Sequence, residues 1–152
     1  MKYMWHFESP IGTLTLAETD GAISHMVFGS DKRLNGYELK ETPLIKKGEK
    51  QLKEYFAGKR KEFDLPLVFE GTDFQKSCWK ALQTIPYGKT CSYKDIAMKI
   101  KNEKACRAVG GANNKNPIAI IVPCHRVIGA NGSLVGFGGG LKTKQFLLDL
   151  EK

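Results

Sequence analysis

The sequence predicts a chain of two unlike halves. Residues 1–70 read as an α/β domain, a small antiparallel sheet with one helix, and residues 71–152 as a mostly helical domain containing a helix-turn-helix. Three observations carry this prediction. Between residues 3 and 28 apolar residues alternate with period two, and turn signals separate the runs. From Thr72 onward short helical patterns begin at capping residues and stop at Pro or Gly. The charge divides at the same place: residues 1–70 hold 11 Lys+Arg and 11 Asp+Glu, whereas residues 71–152 hold 13 against 5, so the whole net charge of +8 sits in the second half. A neutral half joined to a basic one suggests that the basic half meets a polyanion; a solubility surface with no partner is the alternative.

The first half opens as a β-meander. Residues 3–8 are rich in aromatics, Ser9-Pro10-Ile11-Gly12 is a turn, and Thr13-Leu14-Thr15-Leu16 alternates as a half-buried strand does. Asp20-Gly21 signals a hairpin, and residues 22–28 give the third strand. A helix is expected over about 43–56, with Leu44, Ile45, Leu52, Tyr55 and Phe56 on one face and Gly58 to stop it. Residues 65–69 read as an edge strand, because Pro66 cannot donate to a ladder. Nothing in this half suggests chemistry.

In the second half Thr72-x-x-Gln75 is a capping box opening a helix through about Gln83. Ser92 caps a short helix over 92–100, and a second follows over about 103–113; the pair resembles a DNA-reading helix-turn-helix, although many helical hairpins bind nothing. The second helix contains Gly110-Gly111 flanked by alanines, which suits tight helix packing as well as a close approach to a minor groove with one projecting arginine. Residues 117–123 form an apolar, strand-like run ending at Pro123-Cys124-His125-Arg126-Val127; Asn131-Gly132 is a hairpin turn, and a final amphipathic helix covers about 141–151. The glycines of 136–140 match neither a P-loop nor a dinucleotide fingerprint.

No apolar run reaches the ~20 residues of a membrane span, and the N-terminus lacks signal-peptide features; a cytoplasmic protein is expected. Cys78, Cys91, Cys106 and Cys124 have neither zinc spacing nor an expected disulfide role, and no metal or cofactor is expected. Only Cys124 adjoins a histidine. A base or cation near a thiol raises its thiolate fraction, and His125 and Arg126 follow Cys124 directly. Side chains of consecutive extended residues diverge, however, so a Cys124–His125 link needs a turn or a bridging water. On spacing alone, a buried structural cysteine is the better reading.

Family resemblance reverses that reading. Pro123-Cys124-His125-Arg126-Val127 resembles the signature of the O6-alkylguanine-DNA alkyltransferases. So do, in order and spacing, Ile85-Pro86-Tyr87-Gly88-Lys89-Thr90 with Ser92-Tyr93, Arg107 to Ala112, Asn116-Pro117, and Gly136-Phe137 with Gly139-Gly140-Leu141. The likeness is close over 72–152 and general in layout over 1–71. It implies a ribonuclease-H-like first domain, a winged-helix-like second domain, and single-use, irreversible repair of O6-alkylguanine, with O4-alkylthymine a further substrate. The implied partner is double-stranded DNA, met through the minor groove by a monomer with no obligate protein partner and no membrane.

The resemblance also implies residue roles. Cys124 is the alkyl acceptor, His125 its base through water, and Glu151 the acid that orients the histidine. Asn116 holds the turns around the acceptor segment. Tyr93 protonates the leaving guanine and helps rotate the nucleotide. Val127, Phe137 and Gly138 meet the base, and Arg107 fills the hole it leaves. Lys94, Asn102 and Ala105 join Tyr93 and Arg107 as DNA-contacting positions. Phe137 stands where some members have tyrosine, and the first half lacks the cysteines with which some members bind zinc. A damage binder of the same fold, a transcription regulator and a cysteine hydrolase are the competing readings. Cys124 opposes the first, and the scarcity of base-reading side chains between Ala105 and Ala112 opposes the second.

Overall fold

The computed structural model describes residues 1–132, 137 and 140–152. The chain divides into two compact units, Met1–Phe69 and Glu70–Lys152.

In the first unit β1 (Lys2–Ser9), β2 (Gly12–Thr19) and β3 (Ala22–Phe28) form the expected antiparallel meander. Asp20 and Gly21 both take positive φ, 50° and 86°, as the tightest hairpin turn requires. The sheet is nevertheless mixed. A two-residue strand, β4 (Glu38–Leu39), adds parallel to β1 and gives the order β3-β2-β1-β4. Two residues are too few to leave an alternating pattern, which is why the sequence shows no sign of it. The edge strand expected over 65–69 shrinks to one bridge, Ile23 with Leu67. Ile23 N–H donates to Pro66 O at 2.8 Å and Val68 N–H to Ile23 O at 3.0 Å; Pro66, lacking an N–H, lets the ladder go no further.

Helix α1 (Pro43–Phe56) starts at Thr42, whose hydroxyl accepts from Ile45 N–H. It ends at Gly58, φ 74°, with Gly58 N–H donating to Tyr55 O and Lys59 N–H to Glu54 O, the paired bonds of a left-handed helix stop. Ile45, Leu52 and Tyr55 are buried; Leu44 and Phe56 only flank that face. Gly48 lets the helix press onto the sheet, since a Cβ there would lie 3.1 Å from Leu16 Cδ1.

The second unit is built from α2 (Asp73–Leu82), α3 (Tyr93–Lys99), α4 (Cys106–Asn114) and α5 (Leu141–Leu150). Thr72/Gln75 and Ser92/Asp95 form full capping boxes on α2 and α3. Buried Trp79 of α2 donates its indole N–H to Ala112 O on α4 at 2.9 Å. A parallel pair, β5 (Cys91–Ser92) with β6 (Val127–Ile128), ties the start of α3 to the segment after Cys124. The strand expected over 117–123 is absent. Those residues are buried, which explains their apolar character, but they form compact turns. Val122 N–H returns to Ile118 O at 2.9 Å, and Ile120 takes φ 70°, a left-handed conformation costly for a β-branched side chain.

Candidate active site

The turns of 116–123 deliver Cys124 to the first position of a 3-10 turn, Cys124–Arg126. Asn116 holds them. Its Nδ2 donates to Val122 O at 2.9 Å and to Ile118 O at 3.4 Å, and its Oδ1 accepts from Ile118 N–H at 3.1 Å. Cys124, His125, Arg126, Lys144 and Glu151 are all buried.

Glu151 caps the C-terminal end of α5 and is the hub of the buried charges. Its Oε2 lies 2.6 Å from His125 Nε2. Arg126 donates to both its oxygens, Nε to Oε1 at 2.8 Å and Nη2 to Oε2 at 3.0 Å, while Nη1 donates to Ile85 O at 2.7 Å. The geometry is the forked guanidinium–carboxylate pairing, which keeps a buried carboxylate ionised. A carboxylate can only accept, so the proton between Glu151 and His125 is assigned to Nε2. That leaves a lone pair on Nδ1, which is buried and, among the described residues, has no hydrogen-bond partner. The turn therefore brings thiol and imidazole together in sequence without a direct Cys124–His125 bond.

Burial pushes the Cys124 thiol up from its ordinary value. The Asn116 side chain, the Lys144 charge and the backbone N–H groups of Cys124 and Ile120 pull it the other way. Burial also pushes His125 down, against its hydrogen bond to Glu151. Burial thus favours the neutral thiol and the neutral imidazole, in opposition to the activation expected of His125 and Arg126. Arg126 is spent on Glu151. The cation that acts on the sulfur is Lys144, a residue not anticipated from sequence. Its Nζ donates to Val127 O at 2.5 Å and sits 5.9 Å from the Phe137 ring centre, and burial pushes its own pKa down. A spacing signal existed: Lys144, Leu147 and Glu151 lie at i, i+3 and i+7, one inward face of α5.

Tyr93 opens α3, half-buried. Burial raises its pKa, the Cys124 charge adds to that, and a hydrogen bond from the Asn113 side chain opposes both. Asn113, also unanticipated, is buried on α4 and donates Nδ2 to Cys124 O at 3.3 Å. Arg107, Lys94 and Asn102 are exposed, and Ala105 is half-buried just before α4. Val127 is buried in β6, and Phe137 is half-buried; Gly138 lies outside the described residues. Among the described residues no group of three or more His, Cys, Asp or Glu is placed to hold a metal ion, and no helix is long and apolar enough to cross a membrane.

Comparison with known proteins agrees along the whole chain. Residues 2–69 match the family model described as "6-O-methylguanine DNA methyltransferase, ribonuclease-like domain". Residues 73–152 match "6-O-methylguanine DNA methyltransferase, DNA binding domain". The chain is 51% identical over 148 residues to a methylated-DNA–protein-cysteine methyltransferase of Methanosarcina acetivorans, covering 95% of each. It is 44% identical over 159 residues to the constitutive enzyme of that name from Bacillus subtilis, covering 100% of this chain and 96% of that one. The crystal structure of Mycobacterium tuberculosis OGT in complex with DNA superposes with a TM-score of 0.93 at 48% identity, covering 99% of this chain and 92% of that one. With both halves matched and near-half identity over almost the full length, the chain belongs to the 6-O-methylguanine DNA methyltransferase family.

Proposed function

We propose that Cys124 takes the alkyl group from an O6-alkylguanine in double-stranded DNA, irreversibly and once per molecule. The reaction class follows from the family: the chain is a DNA-repair methyltransferase that transfers an alkyl group from DNA to a cysteine of its own. The observation that carries the choice of cysteine is the buried array in which Glu151 holds His125 by one nitrogen and leaves the other bare.

His125 takes the thiol proton through a water, and Glu151 steadies the imidazolium. The sulfur attacks the alkyl carbon, and the carbon–O6 bond breaks with its electron pair going to the guanine. Tyr93 supplies a proton to the departing base, so that guanine leaves neutral, and the proton held by His125 makes good the loss to Tyr93. Ile120 N–H and Lys144 stabilise negative charge on sulfur where it develops, a preorganised contribution that needs no rearrangement. The resulting thioether does not hydrolyse back to a thiol, hence single use.

The domain at 71–152 carries both DNA binding and chemistry, with α3 and α4 as the helix-turn-helix. The target atom is unreachable inside a duplex, so the nucleotide is flipped out, at a few kcal/mol. Exposed Arg107 fills the gap, with Tyr93, Lys94, Asn102 and Ala105 beside the strand. Val127 and Phe137 line the base pocket, and the family resemblance adds Gly138 to them. The protein acts as a monomer in the cytoplasm.

The test is peptide mapping by mass spectrometry after incubation with a duplex carrying one O6-methylguanine. One methyl group on the Cys124 peptide is expected, and none in Cys124→Ala, which keeps its affinity for the lesion duplex. Stoichiometric label on Cys78, Cys91 or Cys106 overturns the assignment.

A further inference from the structure

We infer that Asn113 is a positioning residue for Tyr93, using one carboxamide to hold the phenolic oxygen and the Cys124 carbonyl in a fixed relation. The inference rests on the proposed role of Tyr93 as the acid that protonates the leaving guanine.

The argument begins with helix geometry. Gly110 and Asn113 are three residues apart on α4 and so share a face. The Tyr93 ring lies over Gly110, with Cε1 and Cδ1 3.9 and 4.0 Å from where a Cβ would stand. A phenol seated there presents its hydroxyl one turn further along α4, toward Asn113, whose side chain acts on it as a donor that favours the phenolate. The same amide nitrogen donates to Cys124 O at 3.3 Å. An amide NH2 carries two protons, enough for both acceptors at once. The Cys124 carbonyl also fixes the orientation: a flipped amide would set Oδ1 against a carbonyl oxygen. The consequence is that Oδ1 is buried and, among the described residues, unpartnered, one of two such atoms there, the other being His125 Nδ1. Leaving a buried acceptor unmet is costly unless the group earns its place otherwise. Holding the phenolic oxygen of the acid and the backbone of the acceptor residue at once is such a reason.

The chemical effect follows from which form the bond favours. When Tyr93 gives up its proton, the O–H bond breaks and the phenolate oxygen carries the charge. An N–H donor aimed at that oxygen stabilises the charged form. Asn113 thus offsets the two influences that make Tyr93 a reluctant acid, its burial and the neighbouring Cys124.

The experiment is a double-mutant cycle on single-turnover transfer from an O6-methylguanine duplex, using Asn113→Leu and Tyr93→Phe. Tyr93→Phe is expected to slow transfer about 10²-fold or more, as loss of a general acid does. Asn113→Leu is expected to slow it about tenfold in the Tyr93 protein, the scale of one lost hydrogen bond to a charged group, and by less than about twofold when Phe already stands at 93. A spectroscopic readout accompanies it: with tyrosine ring carbons labelled, the Tyr93 resonance is expected to titrate at higher pH in Asn113→Leu than in the wild type. Equal losses in both backgrounds, with an unmoved Tyr93 titration, overturn the inference and leave Asn113 a support for the acceptor turn alone. A Tyr93→Phe protein that reacts at the wild-type rate overturns the acid role itself, and the inference with it. Should Asn113→Leu fold poorly, Asn113→Gln provides the second variant: it keeps the donor on a longer arm, and restoring it within reach of Tyr93 should recover part of the rate.

Discussion

Both units bury polar side chains, but for different ends. In Met1–Phe69 they close the fold. Glu18 accepts from the Thr42 hydroxyl that caps α1, and Gln51 pairs both ends of its amide with the backbone of Asp64, at 2.9 and 3.2 Å. In Glu70–Lys152 the buried set is Asn113, Asn116, His125, Arg126, Lys144 and Glu151, and it gathers on the Cys124 segment and the Glu151 array. The two buried polar atoms without a partner among the described residues, Asn113 Oδ1 and His125 Nδ1, both lie in this second set. The difference teaches how to tell a scaffold from a site: satisfied buried polarity specifies a fold, whereas charges concentrated around a nucleophile with bare atoms left over specify chemistry.

The strongest way to break that comparison is to neutralise one buried carboxylate in each unit. Glu151→Gln removes the charge that Arg126 and His125 share. Breaking a buried ion pair from one side is expected to cost about 3 kcal/mol of stability in urea unfolding. It should also slow alkyl transfer about 10²-fold or more, because a neutral amide stabilises the imidazolium less. His125→Ala should lose at least as much, and the double variant little more than the worse single one, since the two act as a unit. Glu18→Gln keeps an acceptor for Thr42 and is expected to cost about 1 kcal/mol with an unchanged transfer rate. Equal kinetic losses from Glu18→Gln and Glu151→Gln would erase the distinction.

Two further substitutions sharpen it inside the second unit. Lys144→Met keeps the stem's volume but removes the cation acting on Cys124. Transfer is expected to slow about tenfold or more, on duplex and on the free modified base alike. Arg107→Ala touches the DNA step only, so it should slow duplex repair about tenfold while free-base transfer stays within about twofold. Single-turnover rates on both substrates decide. Equal losses from Arg107→Ala on both would move that residue into the chemistry or the fold.

The sequence made the elements legible where local physics sets them. The capping box at Thr72, the cap at Ser92 and the stop at Gly58 are written in a few residues each, and they stand where expected. The two-residue β4 and the turns at 117–123 were not legible, because one is too short for a period and the other is apolar through burial rather than pleating. The site divides likewise. Cys124 and His125 are adjacent in the chain, and family resemblance drew attention to them. Glu151 came from that resemblance alone; by position it is a helix-terminal charge near the end of the chain. Asn113 and Lys144 were missed because each sits in an ordinary helical pattern, and only tertiary packing turns its polar end toward Cys124.

The last expected effect is a pH dependence of stability that the buried histidine and thiols give to the second unit. Each unit holds one tryptophan, Trp5 and Trp79, so unfolding of residues 70–152 can be followed by Trp79 fluorescence in a Trp5→Phe background. His125 is held below its ordinary value, chiefly by burial. The unfolded chain therefore binds the proton first. The stability that neutral His125 contributes is complete above about pH 6.5 and is lost as pH falls below it, with a slope of at most about 1.4 kcal/mol per pH unit for one proton. The thiols act in the opposite sense. Burial holds Cys78 and Cys124 up and takes Cys91 to about 11, so the unfolded chain loses these protons first and stability falls as pH rises past the ordinary thiol range. The first unit has no cysteine and should show no such alkaline limb. Carboxylates held low, such as half-buried Asp31, give way only at more acidic pH, in a separate window. His125→Gln should flatten the limb near pH 6 and leave the alkaline one, whereas Cys124→Ser should reduce the alkaline limb in part. An acid limb that survives His125→Gln unchanged would mean that the buried imidazole is not the group being protonated, and the pairing of a neutral thiol with a neutral base in the resting protein would have to be given up.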